Sequence, residues 1–319
     1  MGAGIFRRMS LTIRFLGTSA SRPTVERNVT SVAVVRDGET LMFDCGEGTQ
    51  RQMMRYGTSF ALRDIFFTHM HADHMLSVIG LFRTLALQGR EEPMTLWGPP
   101  GSEALLKRAI AIGSDKEKFP IEFRDITPET PLKRKDYSIV PFPVDHAGKV
   151  AIGYAVVEDT RLGRFNPDIA REVGIPEGPM WGLLHRGQSV TLPGGKVIDP
   201  SALVGPSRPG RRVVYTGDAR PCAGTIEAAR GADLLIHEAT FADEEAQRAL
   251  ETGHSTAREA AQVAAAAGVK QLVLTHLSAR YSLSAAELLG EAREVFANTI
   301  VARDGMEIEV PFADATQEP

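Results

Sequence analysis

The amino-acid sequence predicts an α/β fold in which two β-sheets are covered by helices. Three observations lead to this prediction. Short apolar runs bounded by Gly, Pro and Asp recur along the chain, segments with helical spacing of apolar residues separate them, and both kinds of segment occur in both halves. At 319 residues and 43% hydrophobic composition, the chain has enough apolar material for a large core.

The predicted strands are the short apolar runs. Those of the first half are residues 11–17, 31–36, 40–44, 64–69, 94–98, 121–126 and 137–144. Those of the second half are residues 150–157, 211–218, 233–238, 271–276 and 298–302. Several of them end in His or Asp, which are residues that bind metals and transfer protons.

Three helices are predicted most clearly, at residues 74–88, 256–267 and 284–297. The first has apolar residues at helical spacing. The other two open with a Ser or Thr followed three residues later by Glu, which is the pattern of a capping box. The two pairs are Thr256 with Glu259 and Ser284 with Glu287.

One segment departs from this alternation of strands and helices. Between residues 163 and 195, 11 of the 33 residues are Gly or Pro, about twice the average of the chain. Interspersed apolar residues such as Ile175 and Trp181 favour an ordered arm over a disordered linker. We therefore expect an N-terminal extension (1–10) and one catalytic domain (11–319) with an inserted arm (158–200).

The bulk composition excludes some classes of protein. Two cysteines, Cys45 and Cys222, provide no disulfide framework and are typical of a reducing cytoplasm. No apolar run is long enough to span a membrane. The paired arginines near the start are followed by an apolar run that Arg14 interrupts, so a secretory signal is not expected. A net charge of −4 gives no indication of a nucleic-acid partner, although a local basic groove remains compatible with it.

The segment FFTHMHADHM, residues 66–75, predicts a metal site. It contains three of the eight histidines of the chain, and its pattern is H-x-H-x-D-H. His69 ends a predicted strand, where α/β proteins place their sites. A strand followed by a loop and a helix can direct two ligands to one metal and two to another. The candidate ligands here are His69, His71, Asp73 and His74.

Further ligands must come from elsewhere, because one loop cannot complete two sites. His146, Asp218 and His276 each stand at the end of a predicted strand. Imidazole and carboxylate ligands without thiolate favour zinc at an open, catalytic site. Seven ligands suit two metals, with Asp218 able to bridge them. Such a site serves in-line displacement at phosphodiesters, and equally lactam, thioester and sulfate-ester hydrolysis.

Two further histidines lie outside this set of ligands. His254 lies in a loop just before the Thr256 helix, where it could protonate a leaving oxygen, and Glu238 could orient it. His237, next to Glu238, lies within a predicted strand.

The H-x-H-x-D-H pattern with His146, Asp218 and His276 resembles the metallo-β-lactamase superfamily. In detail the chain is similar to the ribonuclease Z family (tRNase Z, short form) over about residues 14–311. The arm resembles the exosite arm with which that family grips the tRNA elbow. The other segments that carry the resemblance are FDCGEGTQRQM at 43–53, YTGDARP at 215–221, HEATF at 237–241, GHST at 253–256 and LTHLSARY at 274–281.

The resemblance implies an αββα sandwich and two Zn²⁺ per chain, with Mn²⁺ as a possible substitute. One zinc would be held by His69, His71 and His146, the other by Asp73, His74 and His276, with Asp218 shared. Asp73 would also be the proton acceptor, and His254, supported by Glu238, the proton donor. The substrate would be pre-tRNA, cut to a tRNA 3′-hydroxyl and a 5′-phosphorylated trailer. A cytoplasmic homodimer is implied, in which the arm of one subunit serves the site of the other.

Arg27 and Arg186 match substrate-binding positions of the family, in a loop near the tRNA 3′ end and in the arm. Three residues depart from the family pattern: Val25 and His185 each stand where Lys is usual, and Ala219 where Thr is usual. Residues 158–195 contain four Arg against five Asp or Glu, so the arm is not a basic paddle. The alternatives are another dinuclear-zinc hydrolase, such as a small phosphodiesterase or an arylsulfatase, and a non-catalytic RNA-binding relative.

Overall fold

A computed structural model describes residues 9–113 and 118–313 of the chain, so the predicted extension (1–10) lies outside the described residues except for its last two. The strands of the first half are β1 (Leu11–Gly17), β2 (Ser31–Arg36), β3 (Glu39–Phe43), β4 (Asp64–Phe66), β5 (Met94–Gly98), β6 (Ile121–Asp125), β7 (Leu132–Lys133) and β8 (Tyr137–Pro143). Those of the second half are β9 (Ile152–Glu158), β10 (Val190–Thr191), β11 (Val197–Ile198), β12 (Arg212–Tyr215), β13 (Leu234–Glu238), β14 (Leu272–Thr275), β15 (Thr299–Val301) and β16 (Glu307–Glu309).

These strands form two seven-stranded sheets and a separate hairpin of β10 with β11. The order of the first sheet is β16-β1-β2-β3-β4-β5-β6, and that of the second is β15-β14-β13-β12-β9-β8-β7. Each sheet therefore comes mainly from one half of the chain, with β16 crossing over to close the first sheet beside β1.

The helices are α1 (Thr49–Arg55), α2 (Ala72–Met75), α3 (Val78–Leu87), α4 (Ser102–Ala111), α5 (Pro167–Glu172), α6 (Pro179–His185), α7 (Ala223–Ala229), α8 (Ala246–Thr252), α9 (Ala257–Ala267) and α10 (Ala286–Val295). No helix in the described ranges is long and apolar enough to cross a membrane.

The main core lies between the two sheets, where Phe43 and Phe66 of the first sheet meet Tyr154 and Tyr215 of the second. On the outer face of the first sheet, a second apolar layer is covered by α1, α3 and α4. A third layer, rich in alanine, lies between the second sheet and α7, α9 and α10. The four layers are helix, sheet, sheet and helix, which confirms the predicted αββα sandwich.

The direction of the strands brings the candidate ligands to one edge of the molecule. Strands β3 to β6 run parallel to each other, as do β12 to β15. Strand β8 runs parallel to β12 because both pair antiparallel with β9. The carboxyl ends of these strands meet at the edge that we call the ligand edge. Contacts such as the hydrogen bond from Ile152 N to Thr68 O (3.0 Å) join the two sheets there.

The predicted helices differ from the observed ones in two respects. The segment 74–88 is divided into α2 and α3 at Leu76 and Ser77, so that α2 presents Asp73 and His74 as a single turn. The capping box of Thr256 and Glu259 is present at α9. The predicted capping box of Ser284 is wrong. Helix α10 begins two residues later than that serine, with Ala285 at the N-cap and no side-chain cap.

The inserted segment leaves the second sheet after β9 and returns at β12, so it spans residues 159–211. It contains α5, α6, the β10–β11 hairpin and an apolar core of its own, whose buried members include Ile175, Leu184 and Leu203. The chain returns beyond residue 200, the predicted end, because Arg161 pairs with Arg208 and Phe165 with Val204. We define the neck as residues 159–163 and 205–211, and the arm as residues 164–204.

Candidate functional site

The seven predicted ligands converge at the ligand edge. Their ligating atoms fall into groups, within each of which all atoms lie within 4.8 Å of one another. One group contains His69, His71, His146 and Asp218, and another contains Asp73, His74 and His276. Residues that are up to about 200 positions apart in sequence, such as His74 and His276, thus share one site. The division between the groups is the one that the family resemblance implies.

In the first group, the nitrogen atoms of three imidazoles face each other. His69 Nε2 lies 2.9 Å from His71 Nδ1, and His146 Nε2 lies 3.4 Å from the same atom. Asp218 Oδ2 lies 3.5 Å from His69 Nε2 and 3.9 Å from His146 Nε2. Burial, and after it the neighbouring His74, lowers the pKa of His69 well below its usual value, which leaves the imidazole neutral with a lone pair available.

In the second group, Asp218 presents its other oxygen. Asp218 Oδ1 lies 3.2 Å from His74 Nε2 and 3.1 Å from His276 Nε2. Asp73 Oδ2 lies 3.4 Å from His276 Nε2 and accepts a hydrogen bond from Ser21 N (2.7 Å), so the loop after β1 fixes this carboxylate. The two oxygens of Asp218 therefore face the two groups, one each, as expected of a bridging ligand.

Each buried imidazole is held by a partner on its outer nitrogen. The partners of Nδ1 are Thr68 Oγ1 for His69 (3.0 Å), Asp44 Oδ2 for His74 (2.9 Å), Gly253 O for His146 (2.8 Å) and Thr240 Oγ1 for His276 (3.0 Å). Such partners fix the tautomer and the ring orientation of metal ligands. In all four residues the inner Nε2 faces the other candidate ligands, where a cation could bind.

The donor set fits a pair of divalent cations. Asp218 is 2% exposed, and its Oδ1 has no hydrogen-bond partner among the described residues. A buried carboxylate oxygen without a donor is costly, and several imidazole nitrogens at close range cannot all carry protons towards one another. Cations between these atoms would satisfy both requirements. Nitrogen and oxygen ligands without sulfur are consistent with zinc or manganese.

Local backbone geometry supports this arrangement. Gly217 precedes Asp218 with a φ of 62°, and a Cβ there would lie 2.7 Å from the Thr68 side chain, so only glycine fits. Asp44 and His276 have positive φ values, 56° and 55°. Such backbone is strained in non-glycine residues and persists where surrounding contacts hold it. Here those contacts are the hydrogen bonds of the two side chains.

His254 and Glu238 form a charged pair beside the ligand groups. His254 Nδ1 lies 2.8 Å from Glu238 Oε1 and 4.0 Å from Asp218 Oδ2. Burial lowers the pKa of His254, but the Glu238 carboxylate outweighs it and raises that pKa to about 9. Glu238 is fully buried and accepts further hydrogen bonds from Ala219 N, Thr240 and Ser255 N. His254 is thereby held protonated near neutral pH.

Ala219 shows how the chain manages without the usual threonine. Its backbone N–H donates to Glu238 Oε1 (3.0 Å), and its carbonyl accepts from Ser255 Oγ (2.5 Å). The main chain of residue 219 thus supports the Glu238–His254 pair, and a hydroxyl at this position is not required for that.

Four residues that support the site were given no role in the sequence analysis. Asp44 accepts hydrogen bonds from Thr68, His74 and Tyr215, and Thr240 links Glu238 to His276. Asp44 follows β3 as His69 follows β4, and since these strands are parallel neighbours, its place at a strand end was the signal that could have found it. The four residues are Asp44, Thr68, Tyr215 and Thr240.

The other candidate residues lie apart from the ligand groups. Arg27 is 6% exposed, and its Nη1 donates to Thr18 Oγ1 and Ala302 O, both at 2.7 Å. This guanidinium braces the loop internally, which does not support the predicted substrate contact. Arg186 is exposed at the end of α6 in the arm, where the prediction remains open.

Three further residues noted in the sequence, Val25, His185 and His237, lie outside the ligand groups. Val25 is 96% exposed at the tip of its loop. His185 Nε2 contacts Gly163 O (2.9 Å), so it ties α6 to the neck. His237 is fully buried in β13, with its Nδ1 on Glu238 O, and belongs to the core rather than to the ligand groups.

Family models, solved structures and curated proteins all match this chain. Two family models match parts of the chain: the beta-lactamase superfamily domain at residues 185–277 and the anti-Pycsar protein Apyc1 at residues 11–140. Among solved structures, that of human tRNase Z, short form, superposes with a TM-score of 0.66 and 26% sequence identity, over 94% of this chain and 100% of that chain.

Curated relatives match nearly the whole length. The ribonuclease Z of Gemmatimonas aurantiaca is 60% identical, over 96% of this chain and 98% of its own. That of Myxococcus xanthus is 50% identical, over 95% and 99%, and that of Haloferax volcanii is 48% identical, over 96% and 97%.

Proposed function

The chain belongs to the ribonuclease Z family, whose members are metal-dependent hydrolases of RNA phosphodiester bonds, and we propose that it removes the 3′ trailer from pre-tRNA as a zinc-dependent endoribonuclease. The products are a tRNA 3′-hydroxyl and a 5′-phosphorylated trailer. The observation that carries the proposal is the bridging position of Asp218 between two groups of ligands, beside a charged His–Glu pair.

In this proposal two Zn²⁺ ions are held by the seven ligands, with Mn²⁺ as a substitute. His69, His71 and His146 would hold one ion, Asp73, His74 and His276 would hold the other, and Asp218 would be shared. When bound, the two cations supply Lewis-acid polarisation of the phosphate and lower the pKa of water. The residues of the chain itself orient the ligands and provide the groups for proton transfer.

Proton transfer falls to one residue beside the ligand groups and to one member of them. His254 is the proton donor to the leaving 3′ oxygen, which is consistent with its raised pKa and its place 13% exposed at the rim. Glu238 is buried and acts through His254, so it is a positioning residue. Asp73 is the proton acceptor. Burial raises the pKa of its carboxyl group, but the hydrogen bond with His276 and the charge of His74 outweigh burial and lower that pKa, which keeps the carboxylate ionised.

The arm is proposed to bind the tRNA body. It has its own core and therefore keeps its shape away from the sheet. Strands β9 and β12 run antiparallel, so the neck leaves at the edge opposite the ligand edge, roughly 20 Å away along the seven residues of β9. An arm placed there suits the site of a second subunit, and on that ground we propose a homodimer. We propose a cytoplasmic location because both cysteines of the chain are free, as in a reducing compartment.

A single incubation tests the function. Purified protein with Zn²⁺ or Mn²⁺ is given a 3′-extended tRNA transcript, and the cut is mapped by sequencing both products. A single cut at the 3′ end of the tRNA body, with a 5′-phosphate on the trailer, is the expected result. No cleavage, together with rapid hydrolysis of small phosphodiesters or aryl sulfates, would favour the alternative of a small-ester hydrolase. Binding of tRNA without any hydrolysis would favour a non-catalytic relative.

A further inference from the structure

The neck is built from two chain segments in very close contact. Arg161 and Arg208 exchange backbone hydrogen bonds of 2.7 and 2.9 Å. A Cβ at Gly163 would lie 1.8 Å from Gly205 O, so no side chain fits between the segments at that level. The neck is therefore a narrow two-stranded stalk, and its tilt against the second sheet decides where the arm points.

An aromatic ring from the far end of the chain lies at this stalk. The guanidinium carbons of Arg161 and Arg211 lie 3.5 and 3.9 Å from the centroid of the Phe312 ring. Two guanidinium groups at such distances would overlap on one face of a six-membered ring, so they occupy opposite faces. Arg161 belongs to the outgoing segment of the neck and Arg211 to the returning one. The ring of Phe312 thus joins both segments through cation–π contacts.

Arg211, on one face of the Phe312 ring, is fixed to the core. Arg211 is 2% exposed and donates to both carboxylate oxygens of Glu158 (2.7 and 2.8 Å) and to Val310 O (3.0 Å). Glu158, itself 6% exposed, accepts a further hydrogen bond from Arg36 Nε (2.9 Å), at the end of β2 in the other sheet. Arg211 is accordingly fixed to both sheets at the base of the neck, whereas Arg161 lies in the outgoing segment that leads to the arm.

From this geometry we propose that Phe312 is a positioning residue for the arm: it clamps Arg161 of the neck onto the fixed Arg211 and so sets the direction in which the arm is held towards pre-tRNA. The inference rests on the proposed role of the arm in tRNA binding. Phe312 lies at the edge opposite the ligand groups and takes no part in the chemistry.

The test compares Phe312→Ala with Phe312→Tyr, which keeps the ring, and with Ile112→Ala, which removes an exposed apolar side chain elsewhere (58% exposed). Loss of the cation–π contacts is expected to raise KM for pre-tRNA by about 5- to 30-fold and to leave kcat within about twofold. The Tyr variant and the Ile112→Ala control are expected to match the unmodified protein.

A second readout follows the neck directly. Hydrogen exchange of the Arg161 and Arg208 amides is expected to accelerate in Phe312→Ala alone, while hydrolysis of a small activated phosphodiester, bis(p-nitrophenyl) phosphate, stays constant. Unchanged exchange and KM would overturn the proposal. So would equal losses in the Ala and Tyr variants, or a fall in small-diester hydrolysis that parallels the loss on pre-tRNA, because each indicates general destabilisation.

The clamp and the proposed function can fail separately. If the unmodified protein does not cleave pre-tRNA, the function is wrong, and the exchange rates still decide whether Phe312 holds the neck. If the unmodified protein cleaves pre-tRNA and Phe312→Ala does so with the same KM, the function stands and the clamp is wrong.

Discussion

At the scale of single residues, the site depends on how the ligands are held as much as on the ligands themselves. Every buried imidazole has an acceptor or a hydroxyl on its outer nitrogen, and Asp44 alone connects Thr68, His74 and Tyr215. Outer partners of this kind typically contribute about 10- to 100-fold in metal affinity or activity. Asp218 differs from the other candidate ligands because its two oxygens face both ligand groups.

Asp218→Ala is expected to lower metal content and cleavage rate together, by more than Asp44→Asn does. The physical reason is that Asp218 is the shared ligand, whereas Asp44 only orients His74. The fold should survive, since residue 218 lies beyond the end of β12 and not within the core. Metal per chain by atomic emission, far-ultraviolet circular dichroism and the single-turnover rate are the measurements. Full activity with one equivalent of metal would contradict the two-metal assignment.

His254→Ala is expected to lower kcat by roughly 10² to 10⁴, the usual contribution of a positioned general acid. Binding of pre-tRNA should change little, because the side chain is mostly buried against Glu238. Single-turnover kinetics and a filter-binding Kd separate the two effects. If Kd rises and kcat does not fall, His254 is a contact residue and not the proton donor.

The same pair predicts a pH dependence. Although burial lowers it, the Glu238 carboxylate raises the pKa of His254 to about 9 from a usual value of 6.5. A donor must be protonated, so activity is present below the folded-state pKa and is lost as pH rises through it. Glu238→Gln removes the charge and is expected to move this alkaline limit from about 9 towards 6.5. The measurement is kcat against pH for both proteins, and an unmoved limit would assign it to another group.

At the scale of secondary-structure elements, similar local patterns had different outcomes. Thr256 and Glu259 form their capping box at α9, which starts directly behind the GHST loop and anchors it through the Arg220–Glu259 contact. The same pattern at Ser284 forms no capping box, because α10 starts later and Ser284 Oγ accepts only a long hydrogen bond from Ala286 N (3.4 Å). A capping pattern permits a helix start, and the packing of the helix against its neighbours decides the residue at which it occurs.

The arm is the element for which the prediction is most direct. Replacing residues 164–204 by a short Gly-Ser linker is expected to weaken pre-tRNA cleavage mainly through KM, because the proposed role of the arm is to recognise the shape and phosphates of the RNA. The ends of the replaced segment are close, since Gly163 and Gly205 are in contact. A small activated phosphodiester should still be hydrolysed at a comparable rate.

The salt dependence provides the control for that variant. Fewer phosphates are neutralised without the arm, so KM for pre-tRNA should depend less steeply on salt. If cleavage of pre-tRNA and its salt dependence are both unchanged, the arm is not an RNA clamp, and the small-ester alternative is favoured.

At the scale of the whole molecule, the topology places the ligand groups and the arm at opposite edges. The ligands stand at the carboxyl ends of β4, β8, β12 and β14, whereas the neck begins at the opposite end of β9 and β12. One chain thus presents its site and its arm at opposite edges of the same sheet. In the proposed homodimer, two-fold symmetry would bring the arm of each subunit to the ligand edge of the other.

Mixing two variants that are each impaired on pre-tRNA tests that arrangement. Asp218→Ala keeps its arm and loses its site, and the arm-replaced variant keeps its site and loses its arm. Random pairing after mild unfolding and refolding should restore about a quarter of the unmodified activity on pre-tRNA, since half of the dimers then combine one arm with one intact site. Light scattering gives the mass against a chain of 34.6 kDa. Mixed dimers without restored activity would show that the arm does not act across the dimer.

The sequence alone predicted twelve of the sixteen strands found in the described residues, the two-sheet architecture and the seven candidate ligands. These are local properties: an apolar run is visible in a few adjacent residues, and His69, His146, Asp218 and His276 each stand at the end of such a run. Histidine and aspartate are rare in such clusters without a metal, so the residue types at these positions predicted a metal site.

Which atoms meet depends on the tertiary structure. The pairing of His254 with Glu238 at 2.8 Å, the bracing of Arg27 against Ala302 and the contacts of Phe312 with Arg161 and Arg211 all join separate parts of the chain, as do the outer partners of His74, His146 and His276. Thr68, the outer partner of His69, is instead its neighbour in the chain. The contacts between separate parts depend on strand order, on the positive φ values of Asp44 and His276, and on the antiparallel course of β9 and β12. None of these is a property of a short stretch of sequence, because each arises from packing two sheets whose strands come from distant parts of the chain.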